Sequence, residues 1–185
     1  MVALTALWIP ILLSAVIVFV ASSIIHMVLP YHRSDYKKLP DEDKVTAALR
    51  SAGVTRGMYV FPYCTHKEMK SPEILEKQKQ GPVGAMIVFP SGPPNMPKYL
   101  LTWFVYCLVV AIFTAYLTGR TTPSGTVYLA VFRVAGAVAF MAYGVGQVVN
   151  GIWRGMPWGT VIKEVFDGLA YSLLTAGTFG WLWPK

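Results

Sequence analysis

The apolar positions along the chain fall into four long runs, separated by one wide polar stretch and two short ones. The first run, Leu4 to Leu29, carries no charged residue, and His26 is its only other titratable group. About 20 apolar residues suffice to cross a bilayer. A signal peptide would show a positive start, a shorter apolar core and a small-residue cleavage site. The run therefore reads as a retained transmembrane helix within residues 1–29. Pro10 falls near its outer end, where a missing backbone donor is tolerated. After the polar stretch 30–97, the remaining runs predict helices over 98–118, 127–150 and 161–183. Gly119, Arg120, Pro123 and Gly125 form one short connection, and Gly151, Arg154, Pro157 and Trp158 the other. Connections this short make antiparallel neighbours of the region 98–185.

The 30–97 stretch has a pattern of its own. Pro40-Asp41-Glu42-Asp43 suits a helix start, Val45, Ala48, Leu49 and Ala52 share one apolar face, and Gly53 supplies a stop. A second helix starts at Ser71-Pro72-Glu73 and ends near Gly81. Each helix precedes a β-like segment, Met58-Tyr59-Val60-Phe61-Pro62 and Met86-Ile87-Val88-Phe89-Pro90, so one M-x-V-F-P pattern occurs twice. Strands closed by proline suit a small ribbon with exposed edges. The fold class expected is an all-α integral membrane protein of four transmembrane helices, with a small α+β cytoplasmic cap of α-β-α-β order between the first and second.

Composition narrows the class further. Hydrophobic residues make up 55% of the chain and charged ones 14%, where soluble domains carry about 25% charged residues. That excludes a water-soluble fold, and disorder needs the opposite composition. The net charge of +7 does not indicate nucleic acid, because the basic residues crowd the ends of the runs. Arg33, Lys37, Lys38, Lys98, Arg154 and Lys163 lie on the side of the cap, against Arg120 and Lys185 on the other. By the positive-inside rule both termini lie outside and residues 30–97 are cytoplasmic, in the inner membrane of a bacterial cell. Cys64 and Cys107 lie in settings too different to form a disulfide framework.

Polar groups at membrane depth are the candidate chemistry. Asp167 sits about six residues into the fourth run, roughly 9 Å deep at 1.5 Å per residue. Tyr171, Thr175 and Thr178 continue its face, while Tyr143, Gln147 and Asn150 form a stripe on the third run. The antiparallel order brings His26, Gln147, Asn150 and Asp167 to one level, an inner-leaflet polar site with Tyr143 and Tyr171 beside it. One reading is a proton or cation site, with Asp167 as the charge and His26 as a titratable partner. The other is a helix pin, in which Lys163 neutralises Asp167 or Gln147 hydrogen-bonds to it. Glu164, three residues into its run, reads as interfacial. Arg133 belongs to the opposite end, where it snorkels outward or contacts a lipid phosphate or a partner protein. Gly168, Ser172, Ala176 and Gly180, with Ala135, Ala139, Ala142 and Gly146, make two small-residue stripes suited to close helix contacts, within the bundle or beyond it.

No phosphate-binding glycine loop, nucleophile elbow or zinc-protease helix occurs. Cys64 and His66 supply two metal ligands where a site needs three or four, and His26 and His32 lie across the membrane boundary from them. Neither a catalytic residue, a metal nor a cofactor is therefore expected. His32, Arg33, Asp35, Tyr36, Lys37 and Lys38 read as a juxtamembrane patch facing lipid headgroups. The leading expectation is a non-catalytic accessory or structural subunit of a larger inner-membrane assembly. Its partners are the lipid bilayer and other membrane subunits or further copies of itself, not nucleic acid. The alternative is a homo-oligomeric channel or carrier for a small ion or solute, and a third is a membrane enzyme or binder of a lipid-like ligand.

Overall fold

Three of the apolar runs fold into helices long and apolar enough to cross a membrane: Leu4–Val28, Met96–Thr121 and Tyr128–Trp153, the last interrupted once. The structure, a computed structural model, describes all residues 1–185. In chain order its elements are α1 (Trp8–Ser23), α2 (Glu42–Ser51), β1 (Gly57–Phe61), α3 (Pro72–Gln80), β2 (Gly84–Val88), α4 (Met96–Thr121), α5 (Tyr128–Tyr143), α6 (Val148–Trp153) and α7 (Trp158–Trp181). The chain is mostly helical, and its one sheet has two strands. Residues 1–35 and 95–185 form one compact unit, and residues 36–94 a second.

In the first unit α1 packs on α4 and α7, and α5 packs on the same two helices, so four long helices close into a ring. At one end the Val2 N–H donates to the Gly119 carbonyl (2.8 Å), and the Gly125 N–H donates to the Pro184 carbonyl (2.9 Å). Both termini and the α4–α5 turn therefore meet there. Leu7, Ala115, Val131, Ala135, Phe179 and Trp183 fill that end with apolar side chains. Most of the small-residue stripes lies inside the ring: Ala135, Ala139, Gly168, Ser172, Ala176 and Gly180 are buried, Gly146 is exposed, and α5 and α7 make the largest contact in the molecule.

The boundaries depart from the hydropathy pattern in four places. The third run is not one helix over 127–150. It breaks after Tyr143, passes through a tight turn at Val145–Gln147 and resumes as α6. The break falls where the Gly144 backbone meets α7, so the two helices touch main chain to main chain. Glycine at such a break is a common cause of a kink. The fourth run starts earlier than 161, at Trp158, and α4 reaches from Met96 to Thr121 because the Asn95 side chain accepts from the Lys98 N–H at its start. Residues 30–35 are not part of the cap: Pro30–Ser34 form a turn that belongs to the helical unit.

In the second unit β1 and β2 pair antiparallel, with Gly57 opposite Val88 and Phe61 opposite Gly84. Ser71 caps α3 by accepting from the Ile74 N–H, and Pro72 occupies the first turn. Ile74 is the one buried side chain of this unit. Met58, Val60, Ile87 and Phe89 of the ribbon region are all exposed.

Candidate functional site

The end of the bundle opposite the chain termini gathers the acidic residues and histidines of the helical unit. The last turn of the first helix, Ile24–Val28, is widened, with the Leu29 N–H reaching back to the Ile24 carbonyl (3.2 Å). Leu29 is then extended, as a residue before proline must be, and Pro30 starts the turn that follows. His26 lies in the widened turn, and Tyr31, His32 and Asp35 lie in and just after the proline turn. Widened turns of this kind recur at functional sites.

These residues meet Asp167 of α7. The Tyr31 hydroxyl donates to Asp167 Oδ1. His32 lies between two carboxylates, its Nε2 2.7 Å from Asp167 Oδ2 and its Nδ1 2.6 Å from Asp35 Oδ2. Both lines are of hydrogen-bond length, so His32 bridges the two acidic side chains. His26 Nδ1 lies 3.0 Å from the Ser22 carbonyl oxygen, which also only accepts, so that nitrogen carries the hydrogen. The other nitrogen, Nε2, stands 3.9 Å from Asp167 Oδ2. The two imidazoles stack, with centroids 4.5 Å apart and planes 10° from parallel.

Asp35 is anchored in turn. Lys163 Nζ donates to Asp35 Oδ1 (2.6 Å), the Tyr31 carbonyl (2.6 Å) and Ser34 Oγ (2.9 Å). That hydrogen bond from Lys163, aided by His32, holds the Asp35 carboxyl below the usual carboxylate range against the opposing effect of burial.

Beside Asp167 opens a cavity of about 330 Å³, bounded by His26, Glu164, Asp167 and Tyr171 together with Trp103, Tyr106, Tyr143 and Gln147. That volume is at the lower end of small-ligand sites. Two polar atoms of its wall are buried without a hydrogen-bond partner: Glu164 Oε2 and the Tyr171 hydroxyl, which flank Asp167 along α7. An unmade hydrogen bond at a buried group costs about 1–3 kcal/mol, so both atoms call for a partner in the cavity. Farther along α7 the polar stripe closes on itself. Thr175 and Thr178 donate to the carbonyls of Tyr171 and Leu174 in their own helix, and the cavity ends against the apolar end of the bundle.

Of the residues singled out from the sequence, His26, Tyr143, Gln147, Asp167 and Tyr171 share this cavity, and Asn150 does not. The Asn150 side chain donates to Gln147 Oε1 (3.0 Å), and Gln147 itself donates to the Tyr143 carbonyl (3.4 Å). Neither arm of the helix pin forms, because Gln147 is bonded within its own segment and Lys163 is taken by Asp35. Tyr31, His32 and Asp35 are the site residues that hydropathy missed, since they bond to Asp167 and Lys163 of α7. The signal for them is Pro30, which ends the first helix and folds the polar residues behind it back over the bundle. Glu164, read as interfacial, lines the cavity. Arg133 is exposed on α5 and makes no hydrogen bond or ion pair. A comparison of the chain with protein-family models, curated proteins and solved structures finds no match.

Proposed function

We propose that the chain is a four-span membrane protein, with α7 as the fourth span, and that the cavity at Asp167 binds a small cation for a carrier function. The 24 residues of α7 measure about 36 Å at 1.5 Å each, longer than the roughly 30 Å hydrocarbon layer. Its charged residues, Lys163, Glu164 and Asp167, are confined to the end that carries the site. The excess of lysine and arginine on that side favours both termini outside and residues 36–94 in the cytoplasm, in a bacterial inner membrane.

One observation carries the reading: the Asp167 carboxylate forms the wall of a cavity, flanked by two buried polar atoms that lack partners. A residue serving only to pin helices would be closed in by its partner helix. Beyond Tyr171 the interior carries no charged group, only buried hydroxyls such as Thr114, Thr118, Thr175 and Thr178, which supports a carrier over an open channel. The test is cation uptake into proteoliposomes, wild type against Asp167→Asn. Loss of uptake with an unchanged melting temperature supports the carrier. A lowered melting temperature with uptake intact returns Asp167 to a structural role.

The accessory-subunit reading keeps two observations of its own. Arg133 has no partner within the chain, and the ribbon exposes Met58, Val60, Ile87 and Phe89. The buried part of the small-residue stripes no longer supports it, since α5 and α7 use it on each other, and of the rest only Gly146 is exposed. Its test is the native mass of the protein extracted gently from its membrane.

A further inference from the structure

We infer that this site takes one divalent transition-metal ion, held by His26 Nε2, His32 Nε2 and the Asp167 carboxylate. The inference rests on the cation reading of the cavity and gives that cation a chemical class. The ligand atoms of the three residues all lie within 4.8 Å of one another. Ligands of one ion bound at 2.0–2.2 Å stand about 3.3 Å apart. The 2.7 Å His32–Asp167 contact would open slightly and the 3.9 Å His26–Asp167 gap would close. His26 is half-exposed and has room to move.

The surroundings are those of a ligand set. A metal-binding histidine commonly donates its other ring N–H to a carbonyl or carboxylate, which fixes the ring and leaves the second nitrogen for the ion. Both histidines do this here: His26 Nδ1 faces the Ser22 carbonyl and His32 Nδ1 faces Asp35. Lys163 in turn fixes Asp35, and the Tyr31 hydroxyl holds the other oxygen of Asp167. The ion takes the place of the hydrogen between His32 Nε2 and Asp167. Glu164 Oε2 and the Tyr171 hydroxyl are buried and unpartnered, and both residues line the cavity that His26 and Asp167 also line, which leaves room for a further ligand or a bound water.

Two imidazoles and a carboxylate suit zinc, iron(II), cobalt or nickel, and not magnesium, calcium or an alkali cation, which prefer all-oxygen sites. The motif escapes sequence reading because His32 and Asp167 are 135 residues apart.

The test uses the tag-free full-length protein in lipid nanodiscs, treated with chelator and titrated with zinc chloride by calorimetry and cobalt chloride by visible absorption. One zinc ion per chain, bound at micromolar concentration or tighter, is expected, with a cobalt ligand-field band. His26→Ala, at a half-exposed position that leaves the fold intact, weakens zinc at least about tenfold, and Asp167→Asn and His32→Ala at least about a hundredfold. The double change Cys64→Ser, His66→Ala leaves binding unaltered. No zinc binding by the folded wild type, or wild-type affinity in both His26→Ala and Asp167→Asn, overturns the inference. Uptake of protons or alkali cations that depends on Asp167, without zinc binding, overturns the metal and leaves the carrier reading standing. Zinc binding without uptake of any cation does the reverse.

Discussion

Gly168 of α7 lies against Gly144 of α5 so closely that a Cβ on Gly168 would stand 2.4 Å from the Gly144 Cα. No side chain separates the two helices at this point. The residue before Gly168 is Asp167, so the contact fixes how far the carboxylate stands from the broken end of α5. The cavity is lined by Asp167, the neighbour of Gly168 in this contact.

Gly168→Ala is expected to destabilise the protein by about 1–3 kcal/mol, the usual cost of forcing atoms into a packed contact. The atoms it meets are backbone and cannot rotate away. Gly159→Ala, on the same helix with nothing within 4 Å, is expected to leave the melting temperature unchanged or slightly raised. Thermal unfolding of both variants in one detergent checks the pair.

Asp35→Asn should cost stability on a larger scale. The Asp35 side chain is 6% exposed and its partner Lys163 26%, and removing one member of a buried pair costs roughly 3–5 kcal/mol. The figure belongs at the lower end here, because Lys163 keeps the Tyr31 carbonyl and Ser34 as acceptors. Adding Lys163→Met should recover part of the loss. A double-mutant cycle on melting data measures the coupling, and additive losses would show the two residues to be independent.

Cysteine labelling reports both burial and sidedness. Cys107 is fully buried between helices, whereas Cys64 is partly exposed. A maleimide should therefore modify one thiol in the folded protein and two after denaturation. With a membrane-impermeant reagent, Cys64 should react in inverted vesicles and stay protected in right-side-out ones. The opposite pattern would reverse the proposed orientation.

Arg133→Ala should leave the folded chain at its normal melting temperature, because the exposed side chain makes no hydrogen bond or ion pair that the substitution breaks. If a partner subunit binds there, the native mass of the extracted complex should fall on substitution. The ribbon is probed in the same way by Met58→Ser with Ile87→Ser, two exposed residues paired across the strands. An unchanged mass in both would remove the observations that favour an accessory role.

Much of the fold is legible in local pattern. The three apolar helices, the capped start of α3, the two proline-closed strands and the small-residue faces of α5 and α7 all follow from nearest neighbours and helical spacing. Asp167 as the central charge, with His26, Tyr143 and Tyr171 near it, was equally readable. Antiparallel helices of known length bring given depths together whatever their rotation. Burial periodicity alone did not reveal that Lys163 turns away from Asp167, or that Gln147 stays within its own segment.

The sequence by itself determined the membrane-compatible helices, their order, and the level along each helix at which the polar residues sit, because hydrophobic burial and backbone hydrogen bonding act within short stretches of chain. The tertiary structure alone decided which polar groups meet. The turn at Pro30 carries His32 and Tyr31 back onto a helix more than a hundred residues away, and the Gly144–Gly168 contact sets where that helix stands. A charge in the bundle takes the nearest partner that geometry offers. Here that geometry comes from one helix stop and one glycine-to-glycine contact, both of which act across the whole chain.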